Sequence, residues 1–394
     1  MNTEKKQLTL AEKWELDIKA YKQGPKVKTS SPQCEKCKYF IKGNALHCEV
    51  YKDERKPKYV MFCRKECPSF CSDDILKIDV VDKELRGVYG GVFGFCIGDM
   101  MGVPVEFSTR QERELDEVKE LRAYGTYNQP FGTWSDDTSL MLCLIDAFTD
   151  GFTIDKLKNN MIRFYKNACF TAGGEVFDIG VATQKAIEKM ILGIAPLECG
   201  GKSELDNGNG SLMRVLPIAF WGKKLSDSEV IRCVENVSAL THAHKRSKLA
   251  CIFYVKFAME LLEGKEKMEA YDNTIAFIRS TCEKEYVSEF DEFNRILDKE
   301  IVNLESEEIR STGYVVDTLE AVLWIFFKGA SYKEVILKAI NLGGDTDTIA
   351  AIVGGIAGIY YGVDALPDSW IQSICRKNEI KEMVELFGNK IKSE

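Results

Sequence analysis

Apolar residues recur at i, i+3 and i+4 through most of the chain beyond residue 75. This spacing predicts helices over residues 85–101, 138–148, 154–164, 176–192, 236–262, 315–327, 332–339 and 348–361. Strand-like alternation is scarce. Gly and Ala recur inside the apolar runs, as in GVYGGVFGFCIGDMMG and IAAIVGGIAGIYYG. A helix-interior Gly costs about 1 kcal/mol relative to Ala, so its repetition points to backbones packed close together. The expected fold class is therefore all-α, with one compact body over residues 76–394, large for a single core. Within it, residues 263–311 are highly charged and read as an exposed helical excursion with a solvated face. In front of the body, residues 1–30 form a short amphipathic leader and a linker, and residues 31–75 form a Cys-rich module.

Charge changes this picture by dividing the chain. The net charge is −8, yet residues 1–72 hold 16 Lys and Arg against 9 Asp and Glu, leaving −15 for the remainder. An acidic body lacks the basic footprint that nucleic-acid binding needs. The basic front leaves room for an anionic partner there, with simple solubility as the plainer reading. The first residues carry no apolar h-region and no small-residue cleavage site, and the apolar stretch 349–363 is too short for a comfortable bilayer span. A cytoplasmic protein with reduced thiols and no membrane partner is expected.

Two short acidic runs carry the candidate chemistry. Ser135-Asp136-Asp137-Thr138 and Asp345-Thr346-Asp347-Thr348 each stand between a Gly-containing turn and an apolar helical run. Either run alone reads as an ordinary helix cap, because Ser and Asp satisfy first-turn N–H groups and acids favour the helix dipole there. Together, four carboxylates and several hydroxyls read as an oxygen-only cage for two hard divalent cations, Mg²⁺ or Mn²⁺ rather than Zn²⁺ or copper.

Six of the fourteen cysteines fall between Cys34 and Cys71. CEKC with further cysteines downstream is a zinc-type spacing, and a structural Zn²⁺ would supply folding energy that so short a module lacks. Its pattern resembles small zinc-ribbon knuckles, which favours Cys34, Cys37, Cys48 and Cys67 as ligands, with Cys63 as the alternative to Cys67. An iron–sulfur cluster or surplus thiols are the competing readings. Elsewhere, Asn207-Gly-Asn-Gly-Ser-Leu-Met-Arg214 is a Gly-rich loop able to bring backbone N–H groups to a phosphate. His242 and His244 stand i, i+2, so they do not share a helix face as a metal pair.

Taken in order, GDMMGVPVEF, WSDDT, FDIG, GNGSLMRVLP, THAH, GYVVDTLEAVLW and GGDTDTIAAIVGGIAG resemble the ADP-ribosylglycohydrolase family over residues 84–375. The resemblance does not reach the Cys-rich front. It implies an orthogonal all-α fold with a binuclear Mg²⁺ or Mn²⁺ centre. It places Ser135, Asp136, Asp137, Asp345, Asp347 and Thr348 as cation ligands. Asp137, Glu106 and Asp178 become the catalytic candidates, with proton transfer open between Glu106 and Asp178. Gly180, Gly208, Asn209, Gly210, Ser211 and His242 would line the ADP-ribose, and Arg214 would support their loop. The implied activity is hydrolysis of the bond between ADP-ribose and a modified protein or small conjugate. A non-catalytic ADP-ribose binder on the same fold is the alternative; loss of an Asp ligand would mark it, and none is missing. The chain reads DIGV, with Val181, where some arginine-linkage members read DIGN. The linkage is therefore open among arginine, serine, nucleic-acid ends and small conjugates.

Overall fold

A computed structural model describes residues 82–149 and 151–393, with isolated positions between 37 and 80. The chain divides into two compact units, Met1–Asp73 and Asp74–Glu394. In the first unit the described positions include Cys37 and Cys48. Cys34, Cys63 and Cys67, and with them the Zn²⁺ expectation, lie outside the described residues.

The second unit is helical; its only strand-type pairings among the described residues are isolated bridges. Its helices of ten residues or more are α1 (Lys83–Gly102), α2 (Asp136–Thr149), α3 (Ile154–Asn167), α4 (Val181–Ile191), α5 (Asp227–Ala239), α6 (Lys245–Leu262), α7 (Lys267–Phe277), α8 (Val315–Lys328), α9 (Tyr332–Asn341), α10 (Thr346–Tyr361) and α11 (Lys377–Ser393). Local chemistry sets several starts. Thr153 and Ser331 accept N–H bonds from Lys156 and Glu334, and Ser226 with Glu229 closes a capping box on α5.

Helices α1 and α10 form the central pair, and small residues let them meet. A Cβ on Gly98 would lie 1.9 Å from the Ala350 carbonyl oxygen, so only Gly allows this approach. The close pairing sets the end of α1 beside the start of α10, where Thr346 Oγ1 donates to the Gly102 carbonyl at 2.9 Å. Although the segment Leu85–Val105 is long and apolar enough to cross a membrane, its apolar window is buried inside the protein, as in a core helix.

Two predicted helices differ from those observed. The 176–192 helix begins only at Val181; residues 176–180 are not helical, and Asp178 and Gly180 among them line the cleft described below. The 236–262 helix is two helices, broken at Leu240–His244, where the His244 ring accepts the Arg246 N–H and caps α6. Residues 263–311 are helical in short pieces, including a π-helical turn at Ile278–Cys282. They are more than a solvated face: Tyr271, Ile296 and Ile301 are fully buried, and Trp324 of α8 donates to the Leu304 carbonyl at 2.8 Å.

Candidate functional site

The two acidic runs, 208 residues apart in sequence, meet in space. Thr348 Oγ1 at the start of α10 donates to Asp137 Oδ2 at the start of α2, at 3.3 Å. Ser135 Oγ donates to the same carboxylate oxygen at 3.1 Å and accepts the Asp137 N–H at 3.2 Å. The start of α2 is capped from another helix: Asp99 of α1 accepts the N–H groups of Ser135 and Thr138, both at 2.9 Å. This remote cap leaves Asp136 and Asp137 free of the capping task. Asp345 precedes α10, and Asn209 Nδ2 donates to its Oδ2 at 2.7 Å while also reaching Thr318 Oγ1 at 3.0 Å.

Glu106 arrives from the loop after α1. That loop is tied to the turn before α10, with the Phe107 N–H donating to the Gly344 carbonyl at 2.7 Å and the Gly344 N–H to the Ser108 carbonyl at 2.8 Å. One oxygen each of Glu106, Asp345 and Asp347 then lies within 4.8 Å of the others, and all three residues are buried. Asp136, Asp137, Asp178, Gly180, Gly208, Asn209, Gly210, His242, Asp345 and Thr348 share a cleft of about 300 Å³ with Glu106.

The electrostatics of this cleft are one-sided. Among the described residues, its lining includes no lysine or arginine. Burial, then neighbouring acids, holds Asp136, Asp137 and Asp347 well above the usual carboxylate range; burial also raises Asp345. Burial and the Asp178 charge push Glu106 up to about 8, and burial takes Asp178 to about 6. Five buried carboxylate oxygens have no hydrogen-bond partner: Glu106 Oε2, Asp136 Oδ2, Asp137 Oδ1, Asp345 Oδ1 and Asp347 Oδ2. A buried unpaired carboxylate is costly, and a cluster of them costs more through mutual repulsion. The donor set is oxygen alone, so these residues fit hard divalent cations.

The loop Gly208–Arg214 forms the opposite wall. Fully buried Arg214 donates to the Gly210 carbonyl at 2.6 Å, the Val237 carbonyl at 3.0 Å and Thr241 Oγ1 at 2.6 Å, so it supports the loop from behind. His242 packs on the loop glycines: a Cβ on Gly210 would lie 2.9 Å from its Cε1. Burial and the Arg214 charge lower the His242 pKa to about 3, which keeps the imidazole neutral. Its Nδ1 pairs with Thr241 Oγ1 at 2.8 Å. Ser211 departs from the sequence expectation. Its side chain is fully buried and accepts from Ser238 Oγ at 3.0 Å, away from the cleft lining.

Two residues of the site escaped the sequence reading. Asp99 was visible only as part of GDMMG, since its partners lie 36 and 39 residues away. Tyr127 stands near enough to Glu106 and Asp178 to offset part of the rise in their pKa values. No motif marks it; its ring packs on Phe177, with centroids 5.3 Å apart.

Comparison with known proteins agrees with this arrangement. A model of the ADP-ribosylglycohydrolase family matches residues 81–394. The chain is 30% identical over 309 residues to ADP-ribosylarginine hydrolase Tri1 of Pseudomonas putida (strain GB-1), covering 78% of this chain and 79% of that one. It is 26% identical over 304 residues to the ADP-ribosyl-[dinitrogen reductase] glycohydrolase of Rhodospirillum rubrum, covering 75% and 93%. A solved structure titled ADP-ribosylglycohydrolase-related protein complex superposes with a TM-score of 0.67 at 26% identity, covering 78% of this chain and 99% of that one. The chain belongs to the ADP-ribosylglycohydrolase family.

Proposed function

We propose that this protein hydrolyses the glycosidic bond between ADP-ribose and its acceptor, and that the reaction depends on two divalent cations of the Mg²⁺ or Mn²⁺ kind. The five unpartnered carboxylate oxygens carry the reading, because buried acidic oxygens without a protein donor suit divalent cations. Asp136, Asp137, Asp345, Asp347 and Thr348 would hold the cations, with Ser135 fixing Asp137 from behind and Glu106 closing the cluster. Such cations supply Lewis acidity to substrate oxygens and to water.

The remaining residues bind and move protons. Backbone groups of Gly208 to Gly210 receive the diphosphate, beside a neutral His242. Hydrolysis breaks the bond from the anomeric carbon to the acceptor through an oxocarbenium-like state, and water supplies the new oxygen. The departing acceptor atom takes up a proton. Glu106 lies among Asp345 and Asp347, whereas Asp178 stands outside that oxygen cluster yet opens on the same cleft. We therefore assign proton transfer to Asp178, with the Tyr127 hydroxyl as a nearby group that eases its ionisation.

The acceptor we favour is an arginine side chain, the linkage named for the Pseudomonas relative. Asp178→Asn is expected to lower kcat for ADP-ribosylarginine about 10²–10⁴-fold while leaving cation affinity unchanged. Steady-state release of ADP-ribose and a Mn²⁺ titration check this together. Equal kcat in both proteins would move the proton-transfer role to Glu106.

A further inference from the structure

Arg246, at the start of α6, was singled out by no motif. Its side chain is only 11% exposed, and it contacts four side chains on three other segments. Nη1 lies 3.0 Å from Glu204 Oε2 and donates to the Tyr314 hydroxyl at 3.1 Å. Nε donates to Glu289 Oε2 at 3.0 Å, and Nη2 lies 3.4 Å from Glu292 Oε1. The Tyr314 hydroxyl also reaches Glu292 Oε2 at 3.2 Å, and His244 Nε2 stands 3.3 Å from Glu204 Oε1.

Two of these segments are walls of the cleft. Glu204 begins the turn Glu204–Asp206, whose Leu205 and Asp206 line the cleft, with Leu205 96% exposed. Tyr314 follows Gly313, another lining residue, whose carbonyl accepts the Asn209 N–H at 3.0 Å. The other two partners, Glu289 and Glu292, belong to the charged 263–311 segment. One guanidinium thus stands among three carboxylates and a phenol. A lysine has no planar fork with which to meet all of them at once.

We propose that Arg246 is a positioning residue for substrate binding, through which the 263–311 segment holds the Glu204–Asp206 turn and the adjoining Gly313–Tyr314 segment in place at the edge of the ADP-ribose cleft. Arg246 touches neither substrate nor cation; it acts through the walls it staples. The charged segment thereby has a function in this chain beyond solubility. The inference rests on the ADP-ribose reading of the cleft.

The test compares the full chain with Arg246→Met, Arg246→Lys and Glu204→Gln. The readouts are KM and kcat for ADP-ribosylarginine, and the dissociation constant of ADP-ribose by calorimetry in Mg²⁺. Loosened walls weaken binding more than they slow chemistry, so Arg246→Met is expected to raise KM and the dissociation constant about tenfold, with kcat within about twofold. Arg246→Lys retains the charge but not the fork, and is expected to fall between Met and wild type. Should Arg246→Met fail to fold, Glu204→Gln decides, because its side chain is 67% exposed and its change loosens the turn from Arg246 and His244 while the Glu289 and Glu292 pairs remain. A rise of about threefold in its KM supports the staple. Unchanged KM and unchanged ADP-ribose affinity in Glu204→Gln and Arg246→Lys, or a fall in kcat alone, overturns it. A wild-type protein that neither binds ADP-ribose nor releases it fails at the function itself, which is a different outcome from variants equal to an active wild type.

Discussion

Asp137→Asn is expected to abolish release of ADP-ribose, by about 10³-fold or more, and Asp347→Asn to do the same. Each replacement keeps the shape of the side chain and removes one acidic group from a cluster in which one oxygen of each carboxylate lacks a partner. The same replacement relieves repulsion among buried acids, so in EDTA each variant should melt above wild type. Relief of about 1–3 kcal/mol corresponds to a rise of several degrees for a domain of this size. Loss of activity with gained metal-free stability distinguishes a cation site from a structural cap, whose loss would destabilise by about 1 kcal/mol. Parallel turnover assays and thermal melts measure both. Active variants, or variants that melt lower in EDTA, would contradict the assignment.

The metal-free protein should lose stability as pH rises from about 6.5 to 8, and Mg²⁺ should restore it most at the upper end. Burial raises the folded-state pKa values of Asp136, Asp137 and Asp347 well above the ordinary 3.8, and of Glu106 from 4.5 to about 8. Acids raised in this way stay protonated in the native protein after the unfolded chain has ionised. Their contribution is full below the unfolded values and is lost as pH climbs through the folded ones. Each group costs about 1.4 kcal/mol per pH unit across that interval. His242 acts in the opposite sense below its ordinary 6.5, because it is held neutral, so the window above 6.5 isolates the acids. Melting temperatures at pH 6.5 and 8, with EDTA or with Mg²⁺, test this. The predicted gain from Mg²⁺ is larger at pH 8 and shrinks in Asp347→Asn; a gain independent of pH would count against a cation-holding cluster.

Much of this was legible in the sequence, for identifiable reasons. Long apolar periodicity marked α1, α2, α8 and α10, where burial on most sides overrides local detail. The expected boundaries failed where backbone is diverted to the cleft. Residues 176–180 continue a helical apolar pattern but lie outside the helix, and Asp178 and Gly180 among them line the cleft. The amphipathic helix α11 went unread because its charged residues outnumber the Ile380, Val384 and Phe387 that it buries. At the site, the SDDT and DTDT runs were visible because acids and hydroxyls crowd into one helical turn. Asp99 and Arg246 were not, since each acts on residues brought near only by the fold. Ser211 misled for the converse reason: its neighbours in sequence face the cleft, while its own hydroxyl turns to Ser238.

The central claim is that far-separated carboxylates form one cation-dependent catalytic cluster. Its most direct measurement is a Mn²⁺ titration of chelator-stripped protein, followed in the same samples by release of ADP-ribose from ADP-ribosylarginine. Binding of two ions per chain, with turnover absent before addition and rising with occupancy, is the predicted result. Turnover that persists undiminished in the stripped protein, with no ion taken up at this cluster, would contradict it.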